Sequence, residues 1–144
     1  MEYVNLYGLV FIIIIMIPNI IFAIKCKDSF TNKFHNKIIE ILEQIGRFGC
    51  FIFMIVNVPH TSFGFKSDEA FALYLIIDSI LVFLYCLIWL ICFKKNSIFR
   101  SLALSIIPSI LFIFSGIISN YILLIVFSLI FAPTHILISY KNAI

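Results

Sequence analysis

Charge is what this chain has least of. Asp, Glu, Lys and Arg make up 12% of its 144 residues, against roughly 25% in an ordinary soluble domain. With 63% hydrophobic residues and a mean hydropathy of +1.18, no soluble fold of this length could hide its apolar surface. Glycine and proline are also scarce, at five and four. No Ser/Gly/Pro-rich linker, low-complexity tract or repeat divides the chain, which reads as a single domain over 1-144. The four cysteines include no C-x-x-C pair; Cys50 and Cys86 fall inside apolar runs, and Cys26 and Cys92 near the side expected to be reducing. Free thiols are expected. His35, His60 and His135 belong to separate parts of the chain, so neither a metal site nor paired haem ligands are expected. No H-E-x-x-H, G-x-S-x-G or P-loop occurs, and the expectation is no enzyme, no catalytic residue and no cofactor.

What the chain has in abundance is long apolar runs. Five of them, at 6–24, 38–58, 70–93, 98–117 and 121–140, are each about as long as a helix needs to cross a hydrocarbon core of about 30 Å. The predicted fold class is therefore all-α, a polytopic five-transmembrane-helix bundle. The first run opens after Glu2 and ends Phe22-Ala23-Ile24-Lys25-Cys26, which fits neither a small-x-small cleavage site nor a lipobox, so it is expected to remain as a span. Only Ile118, Ser119 and Asn120 separate the last two spans, which predicts a tight helical hairpin.

The few positive charges are distributed unevenly. Lys25, Lys27, Lys33 and Lys37 follow the first span, Lys94, Lys95 and Arg100 the third, and Lys141 the fifth, while only Lys66, beside Asp68 and Glu69, falls on the other side. The positive-inside rule places the eight in the cytoplasm, with the N-terminus outside and the C-terminus inside. Tyr3, Tyr7, Tyr121 and Tyr140 at span ends agree with interface anchoring. The net charge of +3 does not imply nucleic acid, because the 25–37 segment is broken by Asp28 and abuts a span. Anionic lipid is the expected partner of Lys25, Lys27, Lys33 and Lys37.

Each run also carries its polar and small residues on one stripe. In the second, Asn36, Glu40, Glu43, Arg47, Cys50, Met54 and Asn57 follow at helical spacing, with Ile41, Ile45, Phe48, Ile52 and Ile55 opposite. The third aligns Tyr74, Asp78, Tyr85, Trp89 and Cys92; the fourth Ser101, Ser105, Pro108, Ser109 and Gly116; the fifth Tyr121, Ser128, His135 and Ser139; the first offers Gly8 and Asn19. Small and hydroxylated residues suit close helix packing, and Pro108 and Pro133 suit kinks.

Ionisable groups inside spans are costlier, about 2.5–3.5 kcal/mol each at the bilayer centre. The candidate intramembrane polar site is therefore Glu43, Arg47, Asp78 and His135, with Asn19 and Tyr85. Glu43 and Arg47, four apart with the acid first, can neutralise each other. Arg47 and Asp78 fall within about 5 Å of the same depth and can pair if the second and third spans adjoin. Glu43-Gln44-Ile45-Gly46-Arg47 departs from the E-E-x-x-x-R signature of CAAX-type intramembrane proteases in its second acid and its Arg spacing, and the accompanying histidine motifs are missing. That assignment fails.

The excess of Ile, Phe, Lys and Asn suggests an AT-rich genome. Over Ile17 to Phe53 and Ser101 to Tyr140 the chain resembles small multi-pass membrane proteins of low-GC Gram-positive bacteria. The resemblance implies a bacterial plasma membrane and brings no activity or site residues. Three functions remain: an accessory or regulatory subunit that contacts another membrane protein or itself, a small solute or proton/cation transport protein using the polar seam, and, more distantly, an intramembrane enzyme.

Overall fold

The computed structural model describes residues 4–25, 36–61, 63–92 and 98–143. Tyr3, Cys26, Lys27, Asp28, Lys33, His35, Phe93, Lys94 and Lys95 lie outside the described residues. Five helices form: α1 Leu6–Lys25, α2 Lys37–Ile55, α3 Asp68–Cys92, α4 Ile98–Ile118 and α5 Ile122–Ala143. α3, α4 and α5 are long and apolar enough to cross a membrane, as suits a small membrane protein. α1 offers a shorter apolar run, Leu6–Phe22, and α2 carries Lys37, Glu40, Glu43 and Arg47 within its 19 residues.

The helix ends follow local chemistry. Asn36 caps α2, its side-chain oxygen accepting from the amides of Ile38 and Ile39 at 3.2 and 3.4 Å. α2 stops at Ile55, three residues short of the predicted 58, because Val56 turns extended and bridges to Val4, and Val58 precedes Pro59. α3 starts two residues earlier than predicted. Ser67 accepts from Ala70 N at 3.1 Å, and Asp68 and Glu69 occupy the positive first turn. The predicted hairpin between α4 and α5 is present and closes on a left-handed Asn120 with φ of 54°, where Tyr121 N donates to Gly116 O and Asn120 N to Ile117 O. This is a Schellman turn in which Asn takes the place of glycine.

The helices close into a ring: α1 packs on α2, α2 on α5, α5 on α4, α4 on α3, and α3 on α1, with α2 also touching α4. α2 and α5 approach each other closely. A Cβ on Gly46 would come within 2.7 Å of the Phe131 amide nitrogen, and one on Gly49 would strike the Phe127 ring. Only glycine permits this backbone-to-backbone contact. Aromatic side chains fill the centre, with Phe112 between Phe51 at 5.9 Å and Phe131 at 5.5 Å. Ile41, Ile45, Phe48 and Ile52 of α2 face outward, as does most of the apolar surface of α1 and α3.

At the end where α1, α3 and α5 begin, residues 56–61 and 63–64 lie over the α4–α5 turn. Phe63 N donates to Asn120 O at 3.1 Å, Asn120 Nδ2 to Gly64 O at 2.9 Å, and Ile122 N to Thr61 O at 3.0 Å.

Candidate functional site

The six candidate residues fall into three places rather than one. On the α2–α5 interface, Glu43 Oε1 lies 3.2 Å from His135 Nδ1 and 3.6 Å from Arg47 Nη1. The Glu43 side chain is 9% exposed and Arg47 35%, so the acid is inside the bundle and its cation at the margin, lying over the Phe48 ring at 5.4 Å. His135 stacks on Phe131 with centroids 4.6 Å apart. The glycine contact that brings α2 against Phe131 is thus what brings Glu43 to His135, one turn away on each helix.

On the α3–α4 interface, Asp78 is completely buried and accepts from Ser115 Oγ at 2.5 Å. Its other oxygen, Oδ1, has no hydrogen-bond partner among the described residues. Of the two partners open to Arg47, the structure has Glu43: α2 and α3 are not neighbours in the ring, so the adjacency that pairing with Asp78 requires is absent.

The third place is the α1–α3 interface, where Tyr85 Oη donates to Asn19 Oδ1 at 2.8 Å and Asn19 Nδ2 to Ile15 O at 3.2 Å. Pro18, which has no N–H to give to Ile14, leaves that carbonyl facing the Cys86 thiol at 4.0 Å. Cys50, Cys86 and Cys92 are free thiols. Among the described residues no three His, Cys, Asp or Glu side chains gather where a metal ion could sit.

One residue was underestimated from sequence. Arg100, read above only as a flanking positive, is 7% exposed. Its guanidinium donates to Cys92 O at 3.3 Å, at the negative end of α3, and lies over the rings of Phe22 at 5.1 Å and Trp89 at 5.8 Å. It fastens α1, α3 and α4 together. The signal was available: carrying the helical period back from Pro108 through Leu104 reaches Arg100, on the buried face.

A cleft of about 280 Å³ lies among α1, α2, α3, α4 and α5, with Asn5, Tyr74, Ser115 and Ser119 among the residues around it. Asn5 Nδ2 donates to Tyr74 Oη at 3.1 Å, and Ser119 Oγ to Ser115 O at 2.6 Å.

No protein-family model, curated protein or solved structure matches the chain. Its chemistry is therefore argued from geometry. Glu43 joins His135 and Arg47 in one ionisable cluster on the α2–α5 interface, and Asp78 with Ser115 ties α3 to α4 through a buried hydrogen bond.

Proposed function

We propose that this is a small integral protein of the bacterial cell membrane, one five-span domain with its N-terminus outside and C-terminus inside, that acts as an accessory or regulatory subunit through helix–helix contacts. The observation that carries this reading is the outward side of α2. Gln44 is exposed and Arg47 is partly exposed, next to the exposed Ile41, Ile45 and Phe48. They lie about 10 and 15 Å along the helix from Lys37. A side-chain amide at that depth is costly against lipid and favourable against another helix that offers it a hydrogen bond.

Support for five spans comes from length and charge. α1 has 20 residues and α2 has 19, enough for about 30 Å each, and the positives flanking the runs share one side. On that side Lys25, Lys27, Lys33 and Lys37 meet anionic lipid. The transport alternative, with Glu43, Arg47, Asp78 and His135 forming one path, has weaker support, because these groups occupy the α2–α5 and α3–α4 interfaces separately. The proposal includes no enzymatic step and no nucleic acid.

The test places a photo-crosslinking residue at Phe48 on α2 and, as a control, at Leu90 on α3, in cells expressing the full chain. A discrete adduct from Phe48 that Gln44→Leu abolishes, with protein level unchanged and the deletion phenotype reproduced, is the expected result. Indiscriminate adducts from both positions, or a silent Gln44→Leu, would overturn the reading.

A further inference from the structure

Gln44 and Arg47 stand three residues apart on α2, a spacing that puts both on one side of the helix. Gln44 is exposed, and the Arg47 side chain is 35% exposed. Neither is well held by the bundle. Arg47 has the Glu43 carboxylate at 3.6 Å, longer than a hydrogen bond, and the Phe48 ring at 5.4 Å. Glu43 itself lies closer to His135, at 3.2 Å. Among the described residues neither the Arg47 guanidinium nor the Gln44 amide makes a hydrogen bond.

The chemistry of the strip follows from those two groups. A guanidinium offers only donors, and a side-chain amide offers donors beside its one oxygen. The exposed Ile41, Ile45 and Phe48 around them offer no acceptor. The strip is therefore positively charged and rich in unused N–H groups.

Depth and charge then select what can cover it. In the five-span topology proposed above, Arg47 lies about 15 Å along the helix from Lys37, near the middle of a core of about 30 Å. Head-group phosphates stay at the interface, and acyl chains have no oxygen to give at that depth. A second copy of this chain brings the same donors. Copies inserted in one orientation hold Arg47 at equal depth, so a twofold pairing along this strip sets cation beside cation. A carboxylate is the complement. It accepts two parallel N–H bonds from a guanidinium, and its remaining lone pairs suit an amide one turn away. An acid inside a span needs such a partner as much as Arg47 does.

We propose that this strip docks a transmembrane helix of another protein that carries an Asp or Glu near the bilayer centre, paired with Arg47 and steadied by the Gln44 amide. The inference rests on the accessory reading and names the chemistry of the partner.

The probe is a single-span leucine peptide of about 20 residues with Asp at its centre, compared with otherwise identical peptides bearing Asn, Lys or Leu there. Energy transfer from a dye at the C-terminus of the full chain to one on the peptide, in phosphatidylcholine vesicles, reports their association. The Asp peptide is expected to associate about tenfold more tightly than the Leu peptide and about threefold more tightly than the Asn peptide, the size of a polar contact between helices in lipid. The Lys peptide is expected to bind no better than the Leu peptide. Arg47→Gln is expected to bring the Asp peptide to the level of the Asn peptide. Gln44→Leu, at an exposed position, is expected to weaken the Asp peptide about threefold and keeps the test decisive if Arg47→Gln does not fold. Equal association of the Asp and Leu peptides, or an Asp preference unchanged in the variants that fold, would overturn the acidic partner while leaving helix docking in place. Failure of all four peptides to associate would count against the docking face itself. Energy transfer between two labelled copies of the full chain, abolished by Gln44→Leu, would also overturn the inference, in favour of self-association.

Discussion

Replacing Gly46 with alanine tests the contact on which the ionisable cluster depends. The added Cβ would lie 2.7, 2.8 and 2.9 Å from the N, Cα and Cβ of Phe131, where ordinary contact begins at 3.4 Å. Two of those three atoms are backbone, so no rotamer change relieves the overlap. α2 and α5 must part by roughly 0.7 Å or tilt. Overpacking of this kind costs about 1–3 kcal/mol, and the better helix propensity of alanine returns about 1 kcal/mol. A net loss of about 1 kcal/mol, within a range of about 0–2 kcal/mol, is expected. Gly49→Ala meets the Phe127 ring instead, a side chain able to turn, and is expected to cost less. The same separation stretches the 3.2 Å contact between Glu43 and His135. Reversible unfolding in bicelles, followed through the fluorescence of the one tryptophan, Trp89, measures both variants. The reasoning fails if Gly46→Ala is as stable as the parent protein, or if Gly49→Ala is the more damaging change.

Arg100→Leu removes the donor to Cys92 O and two ring contacts, and is expected to cost about 2 kcal/mol in the same assay, with Arg100→Lys recovering part of it; a neutral Arg100→Leu would mean that the residue is only a topology signal. A double-mutant cycle between Arg47 and Asp78 is expected to be additive within about 0.5 kcal/mol, while the Glu43 and His135 cycle shows coupling above that, and the reverse ordering would contradict the ring arrangement. Reporters after Lys141 and near Asn32 are expected to register cytoplasm and one near Thr61 the exterior; a cytoplasmic signal at Thr61 would remove a span from the proposed topology.

The buried faces were the most legible property of the sequence. Tyr74, Asp78, Tyr85, Trp89 and Cys92 follow one stripe of α3, and all five are buried. Glu43, Cys50 and Met54 do the same on α2. Periodicity reports which way a side chain points relative to its own helix and nothing about which helix it meets. This is why spacing left Arg47 between Glu43 on its own helix and Asp78 on another, and why it did not reveal the contact of Glu43 with His135, 92 residues apart. Arg100 was hidden differently. Counted by sign at a span end, it lost the positional information that its spacing from Leu104 and Pro108 contained. The cleft drew on α1, α2, α3, α4 and α5 together with Phe65 from the connecting segment, an assembly that only the ring order defines.

That order gives α2 a dependent place in the fold. In the proposed five-span topology α2 alone would bring Glu43, Gln44 and Arg47 into hydrocarbon, where each ionised group at the centre costs about 2.5–3.5 kcal/mol. The glycines that lower this cost by allowing α5 to approach are useful only when α5 is present, and the histidine that meets Glu43 is on α5 as well. α3, α4 and α5 need no such help, being apolar enough to cross on their own. In that topology the stability of α2 depends on its contact with α5. What α5 leaves uncovered, Gln44 and the outer part of Arg47, is the part of α2 whose cost the bundle does not offset. On the proposed accessory reading, a second protein that covers this strip would stabilise α2 by the same chemistry that α5 uses on the opposite face, and assembly of the bundle would then depend on that partner.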